Sequence, residues 1–135
     1  MAAENLFARP GQWYKGCLHV HSAASDGRLP PEEVLQWYRS RGYHFLALTD
    51  HNVPSQAMTL AGDWITLAGI EIDGVDPALG LYHVVGIGTD VPRPVPEPAR
   101  SIQGTVDWLR GAGALVCIAH PYWSGQRSAD LIGIE

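Results

Sequence analysis

Five short apolar runs, four of them finishing on or beside a histidine or a carboxylate and one carrying a histidine within it, punctuate the 135-residue chain and restrict how it can fold. Gln12 to His21, Tyr43 to Thr49, Ile65 to Ile72, Leu81 to Gly88 and Ala114 to His120 all have strand length and composition. The first presents Lys15, Cys17, His19 and His21 on one face; the fourth presents Leu81, His83, Val85 and Ile87. Between them lie two helix signals. Pro30-Pro31-Glu32-Glu33 opens one, with acids at the positive end of the dipole, and Gly42 follows its apolar residues Val34, Leu35 and Tyr38. Ser101 to Arg110 is the other, with Ile102, Val106 and Leu109 on one stripe and Gly111 and Gly113 after it. Strands alternating with helices in units of about 30 residues predict a single α/β domain with a largely parallel sheet.

Two segments fall outside this alternation. Residues 1–11 form an N-terminal extension without the apolar core of a secretory signal. Residues 91–98 carry proline at every second position, which predicts an extended connector that cannot join a ladder. Asp73 to Gly80 is expected to be a loop.

Composition narrows the function. Hydrophobic residues make up 46% of the chain, enough for a packed core, and no apolar run is long enough to span a membrane, so a cytoplasmic protein is expected. Nine basic against fourteen acidic residues, with a single lysine, give a net charge of −5 and no broad footprint for nucleic acid. Cys17 and Cys117 are expected to be reduced thiols.

The runs end on a chelating set: His19 and His21, Asp26, Asp50-His51, Glu71, His83 and His120. In a parallel α/β barrel the C-terminal strand ends converge on one face, where such folds build their sites. Alternate strand residues point the same way, so His19 and His21 can present two imidazoles to one ion. Imidazole and carboxylate suit Zn²⁺, Mn²⁺ or Fe²⁺, and a carboxylate such as Glu71 can bridge two ions. Asp50 can instead orient a histidine from behind. His44 reads as a surface residue. Arg28 and Arg127 are possible phosphate clamps, although each reads more simply as a solvated arginine.

Leu18-His19-Val20-His21-Ser22 with Ser25-Asp26-Gly27, then Leu48-Thr49-Asp50-His51-Asn52, resemble the first two motifs of the PHP (polymerase and histidinol phosphatase) family. Ala68-Gly69-Ile70-Glu71, His83 to Gly88 and Ala119-His120-Pro121 resemble the three that follow. The resemblance runs from about Trp13 to the end of the chain and is closest to the stand-alone phosphoesterases.

It implies a distorted (β/α) barrel, here partial, with about five of the family's seven strands. It also implies two or three divalent ions (Mn, Zn or Fe, with Mg possible) held by His19, His21, Asp26, His51, Glu71, His83 and His120. The implied activity is hydrolysis of a phosphate ester by a metal-activated water, with Asp26, His51 and His120 in catalytic positions and a small phosphorylated molecule as substrate. Two departures stand out. No Asp-x-His pair follows His120, and Pro30 stands where relatives often carry a Ser or Thr cap. The missing pair favours a second reading, a metal-binding but catalytically silent module. A third, exonuclease action on nucleic acid ends, shares the chemistry but would want a basic channel. A chain with an unfinished sheet is expected to form homo-oligomers.

Overall fold

A computed structural model of the protein describes residues 10–58, 62, 64–88 and 101–134. The proline-rich stretch 91–98 and most of the N-terminal extension lie outside them.

The described residues form two three-stranded sheets and three helices. In the first sheet, β1 (Gly16–Cys17), β2 (Phe45–Ala47) and β3 (Ile65–Leu67) run parallel in that order. The second sheet holds β4 (Gly69–Asp76), β5 (Gly80–Ile87) and β6 (Leu115–Ile118), all antiparallel. The expected largely parallel sheet is therefore corrected to a mixed one, with six strands in place of five. The cause is local. The segment expected to be a loop, 73–80, instead continues β4 to Asp76 and turns over Pro77 to Leu79 into β5. Asp76 Oδ1 accepts from the Ala78 and Leu79 amides and caps that turn. The single strand expected over Ile65 to Ile72 breaks at Ala68, and regular pairing of the first strand is confined to Gly16–Cys17.

The sheets are stitched at one seam. His51 and Glu71 form a parallel bridge, with Glu71 N donating to Asp50 O and Asn52 N to Glu71 O. Gly69 makes the approach possible, since a Cβ there would lie 2.7 Å from Leu48 O.

Helix α1 (Pro31–Arg39) covers the first sheet, packing Val34 and Leu35 against Leu46, Leu48 and Val20. Gly42, at φ 74°, carries the chain out of that helix in the left-handed region. Helix α2 (Ile102–Gly111), whose N-terminal Ser101 Oγ accepts from Gly104 N, packs Ile102, Val106 and Leu109 on Ile70, Ile72, Tyr82 and Val84. A short α3 (Ser128–Leu131) follows β6. Strand alternation does the rest. Ile70 and Ile72 point to α2, so Glu71 and Asp73 point the other way; Tyr82 and Val84 point to α2, so His83, Val85 and Ile87 also face away from it. Val85 and Ile87 meet Ala47 and Ala119 in a small apolar layer on this helix-free face. No closed barrel forms among the described residues.

Candidate metal centre

A cleft of about 530 Å³ opens over that layer and gathers His19, His21, Asp26, His51, Glu71, His83 and His120. All seven residues expected to form the site are thus brought together. Their positions on the strands differ from expectation. His19 and His21 follow β1, His51 follows β2 and His120 follows β6, whereas Glu71 is the third residue of β4 and His83 the fourth of β5.

Glu71 is the centre. It is fully buried, and its two oxygens face different histidines. Oε1 lies 3.6 Å from His19 Nε2 and 3.3 Å from His120 Nε2. Oε2 lies 2.8 Å from His21 Nε2 and 3.4 Å from His51 Nδ1. None of these approaches has hydrogen-bond geometry at Glu71, both of whose oxygens are without a partner among the described residues, as is His21 Nε2. His21 Nδ1 sits 2.6 Å from Asp26 Oδ1; in the tautomer that donates there, Nε2 is an acceptor facing a carboxylate oxygen. Two unshared acceptors at 2.8 Å repel unless a cation lies between or beside them.

Burial holds the His19 imidazole below its ordinary value, against the opposing pull of Glu71, and does the same to His83. Protonating these rings is therefore a poor way to balance Glu71. The histidine contact holds the Asp26 carboxyl below its usual range. Glu71 is a fully buried carboxylate without a partner among the described residues, and such a group costs several kcal/mol. Two sets, His19–Glu71–His120 and His21–His51–Glu71, each place three donor atoms within 4.8 Å of one another and share Glu71. The donor set and the orphaned atoms fit divalent cations.

Asp26 lies at the mouth, 67% exposed, with Oδ2 3.8 Å from His51 Nε2. His83 joins neither set; its Nδ1 lies 3.0 Å from Ser124 Oγ, and its ring packs between His51 and His120.

Asp50 does not orient a histidine. It is buried and accepts from Ser22 N, Ser22 Oγ and Ser25 Oγ, pinning the 22–27 loop that carries Asp26. The carboxylate behind His51 is Asp73, 3.1 Å from Nδ1 and also bonded to Asn52 Nδ2. Sequence reasoning missed it by assigning Asp73 to a loop, although Glu71-x-Asp73 repeats the alternate spacing of His19-x-His21. Two site residues hold positive φ, Asn52 at 55° and His120 at 28°, a strain often stored where geometry matters. His44 stays on the surface, accepting from Lys15 N at Nδ1. Arg127 is no free clamp, because it pairs with Asp130 at the start of α3. Cys17 and Cys117 are not joined, and no helix among the described residues is long and apolar enough to cross a membrane.

No family model matches the chain. Among curated proteins it is 38% identical over 104 residues to a 3',5'-nucleoside bisphosphate phosphatase of Chromobacterium violaceum, across 72% of this chain and 36% of that protein. It is 34% identical over 88 residues to a 5'-3' exoribonuclease of Haemophilus influenzae, across 57% of this chain and 30% of that one. The chain therefore spans about a third of the length of the curated relatives it matches. Its fold is that of two solved structures. One is an amidohydrolase from Chromobacterium violaceum with bound sulfate and no metal (TM-score 0.62, 18% identity, 85% of this chain and 70% of that one). The other is named as a metal-dependent phosphoesterase from Bifidobacterium adolescentis (TM-score 0.66, 16% identity, 89% and 73%). In sequence the chain is thus similar to phosphoester-cleaving hydrolases, and in fold it is a mixed α/β protein of the kind to which an amidohydrolase and a phosphoesterase belong.

Proposed function

We propose that the chain carries the metal centre of a PHP-type phosphoesterase, which hydrolyses the phosphate ester of a small molecule. The observation that carries this reading is Glu71, a fully buried carboxylate with two unbonded oxygens, each turned to its own pair of histidines. His19 and His120 would hold one divalent ion with Oε1, and His21 and His51 a second with Oε2. His83 and Asp26 flank the pair, and a third ion remains within the reading. Mn²⁺, Zn²⁺ and Fe²⁺ suit this donor set, and Mg²⁺ is compatible with its carboxylates. When bound, such ions neutralise phosphate charge and make water a nucleophile near neutral pH.

The protein's own groups would do the remaining work. Asp26 fixes the His21 tautomer through its 2.6 Å contact, and Asp73, 3.1 Å from the same His51 Nδ1 that faces Glu71, adds a carboxylate beside the second set. Asp26 at the mouth, with His51 Nε2 3.8 Å from its Oδ2, would steer the leaving oxygen. Leu81 and Trp123 wall the cleft. The name of the Chromobacterium violaceum relative makes a phosphorylated nucleoside the first substrate to try. The name of the Haemophilus influenzae relative supports a second reading, cleavage at nucleic acid ends, against which the sparse basic residues weigh.

Metal analysis of the purified 135-residue chain, followed by Mn²⁺ titration and assays on phosphomonoesters and a 5'-phosphorylated oligonucleotide, tests the reading. We expect bound metal and faster release of phosphate from the small esters. A protein that takes up neither Mn²⁺ nor Zn²⁺ would sink it. Metal uptake with no hydrolysis of either substrate would favour the silent module.

A further inference from the structure

Residues 120–126 form a tight turn that folds back from the end of β6 over β5. Trp123 N and Ser124 N both donate to His120 O, at 2.9 and 3.3 Å, and Gln126 N donates to Pro121 O at 2.8 Å. Gly125, at φ 81°, lets the chain reverse within it. Both ends of the turn are tied to the strand that carries His83. Ala119 N donates to His83 O at 2.9 Å. The buried Gln126 side chain donates from Nε2 to Leu81 O at 2.9 Å, two residues before His83. This single turn lays two side chains on two cleft histidines. The Trp123 ring packs on His120 with 5.1 Å between centroids, and Ser124 Oγ lies 3.0 Å from His83 Nδ1 across 41 residues of sequence.

A hydroxyl behind an imidazole differs from the carboxylate behind His21. An ionised carboxylate only accepts, whereas a hydroxyl accepts or donates. The surroundings of His83 fix the sense. Its ring packs between His51, 5.6 Å away, and His120, 4.9 Å away, one from each donor set. Neither Glu71 oxygen receives a hydrogen bond, so no His83 N–H is spent on that carboxylate. With Nδ1 taken by Ser124, Nε2 is the ring nitrogen left for the cleft, and a cleft whose donors suit cations calls for an acceptor there. That places the proton on Nδ1 and makes the hydroxyl its acceptor.

We propose that Ser124 is a positioning residue: its Oγ accepts from His83 Nδ1–H and so holds the ring with an unprotonated Nε2 for the cleft, between the two donor sets. Turnover then depends on Ser124 through His83, a consequence that rests on the phosphoesterase reading above.

Nitrogen NMR of histidine-labelled chain reads the tautomer of each ring, before and after Zn²⁺ loading, with the His83 signals assigned by their loss in His83→Gln. In the parent chain, and in Ser124→Thr, which keeps the hydroxyl, the His83 proton should sit on Nδ1. In Ser124→Ala it should move to Nε2 or to a mixture of the two. On p-nitrophenyl phosphate, Ser124→Ala should lower kcat roughly 10- to 100-fold, the usual effect of removing the partner behind a site histidine, with KM within about twofold. Threonine should restore most of the loss. Tyr122→Ala, which alters an exposed side chain of the same turn, should move neither readout. A parent His83 protonated on Nε2, a tautomer unaltered in Ser124→Ala, or an equal shift in Tyr122→Ala would overturn the proposal. Turnover indifferent to Ser124→Ala would also overturn it and leave the phosphoesterase reading standing. A tautomer that depends on Ser124, in a chain that hydrolyses no ester, would do the reverse.

Discussion

Glu71 sits where a carboxylate is expensive, with no exposed surface and no donor to either oxygen. That cost gives two predictions of opposite sign from one substitution. Glu71→Gln keeps the shape and removes the charge, so Mn²⁺ or Zn²⁺ affinity should fall by at least ~10-fold. In the metal-free protein the same change removes an unpaired buried charge, so stability should rise, on the order of 1 kcal/mol. His44→Ala, at the far surface, should move neither; equal metal loss in both variants would mean a folding effect. Acidity is a separate test. Burial lowers the His19 and His83 pKa values, so the folded state binds protons less readily than the unfolded chain. Their neutral forms are at no disadvantage above about pH 6.5; as pH falls below it, the unfolded chain takes up protons first and stability drops. Protons also compete for the imidazoles, so metal retention should decline through about pH 6. Retention and melting temperature that both stay flat from pH 7.5 to 5 would contradict a histidine-built centre.

Elements show which parts of the site the sequence made legible. His19-x-His21, His51, Glu71, His83 and His120 were readable because each stands in or beside a run whose alternation is plain, and all reach the cleft. Asp73 was hidden because Gly74, Asp76 and Pro77 look like loop chemistry, whereas they lie at the end of a strand and in its tight turn. Asp50 was seen as a carboxylate but given the wrong partner, since nothing in its spacing reveals that the 22–27 loop folds back over it. The structure assigns that loop to Asp50 through three hydrogen bonds, two of them buried. Asp50→Ala should cost about 3 kcal/mol, because it leaves buried donors unsatisfied. It should also weaken metal binding, through the displaced Asp26. Leu109→Ala, on the α2 face that packs into Gly86 and Tyr82, should cost a similar amount by opening a cavity, about 3 kcal/mol. Its metal affinity should be unchanged. Denaturant melts with metal titrations on both variants separate the two roles; loss of metal in Leu109→Ala alone would reverse the assignment.

Across the whole molecule, the helix-and-strand alternation predicted the α/β class, yet strand direction was out of reach. A hairpin turn of three residues, Pro77 to Leu79, and a crossover helix look equally like breaks between apolar runs, and only pairing distinguishes them. The resulting second sheet ends on β6, whose only partner strand among the described residues is β5. Leu115 on that edge is 66% exposed, and a groove of about 450 Å³ beside it is lined by Val106, Val116, Ile118 and Ile134. Tyr122, Trp123 and Ile132 add exposed apolar surface on the segment that follows. An unpaired edge with apolar side chains is a template for another chain. The 135-residue chain alone should therefore self-associate in sedimentation at tens of micromolar, and the species should shift toward monomer in Leu115→Lys, because a charge on the edge opposes pairing. Melting temperature should change little, since Leu115 is exposed and outside the α2 core. A monomeric parent chain would show that the β6 edge is adequately shielded, and association undiminished by Leu115→Lys would move the contact away from β6.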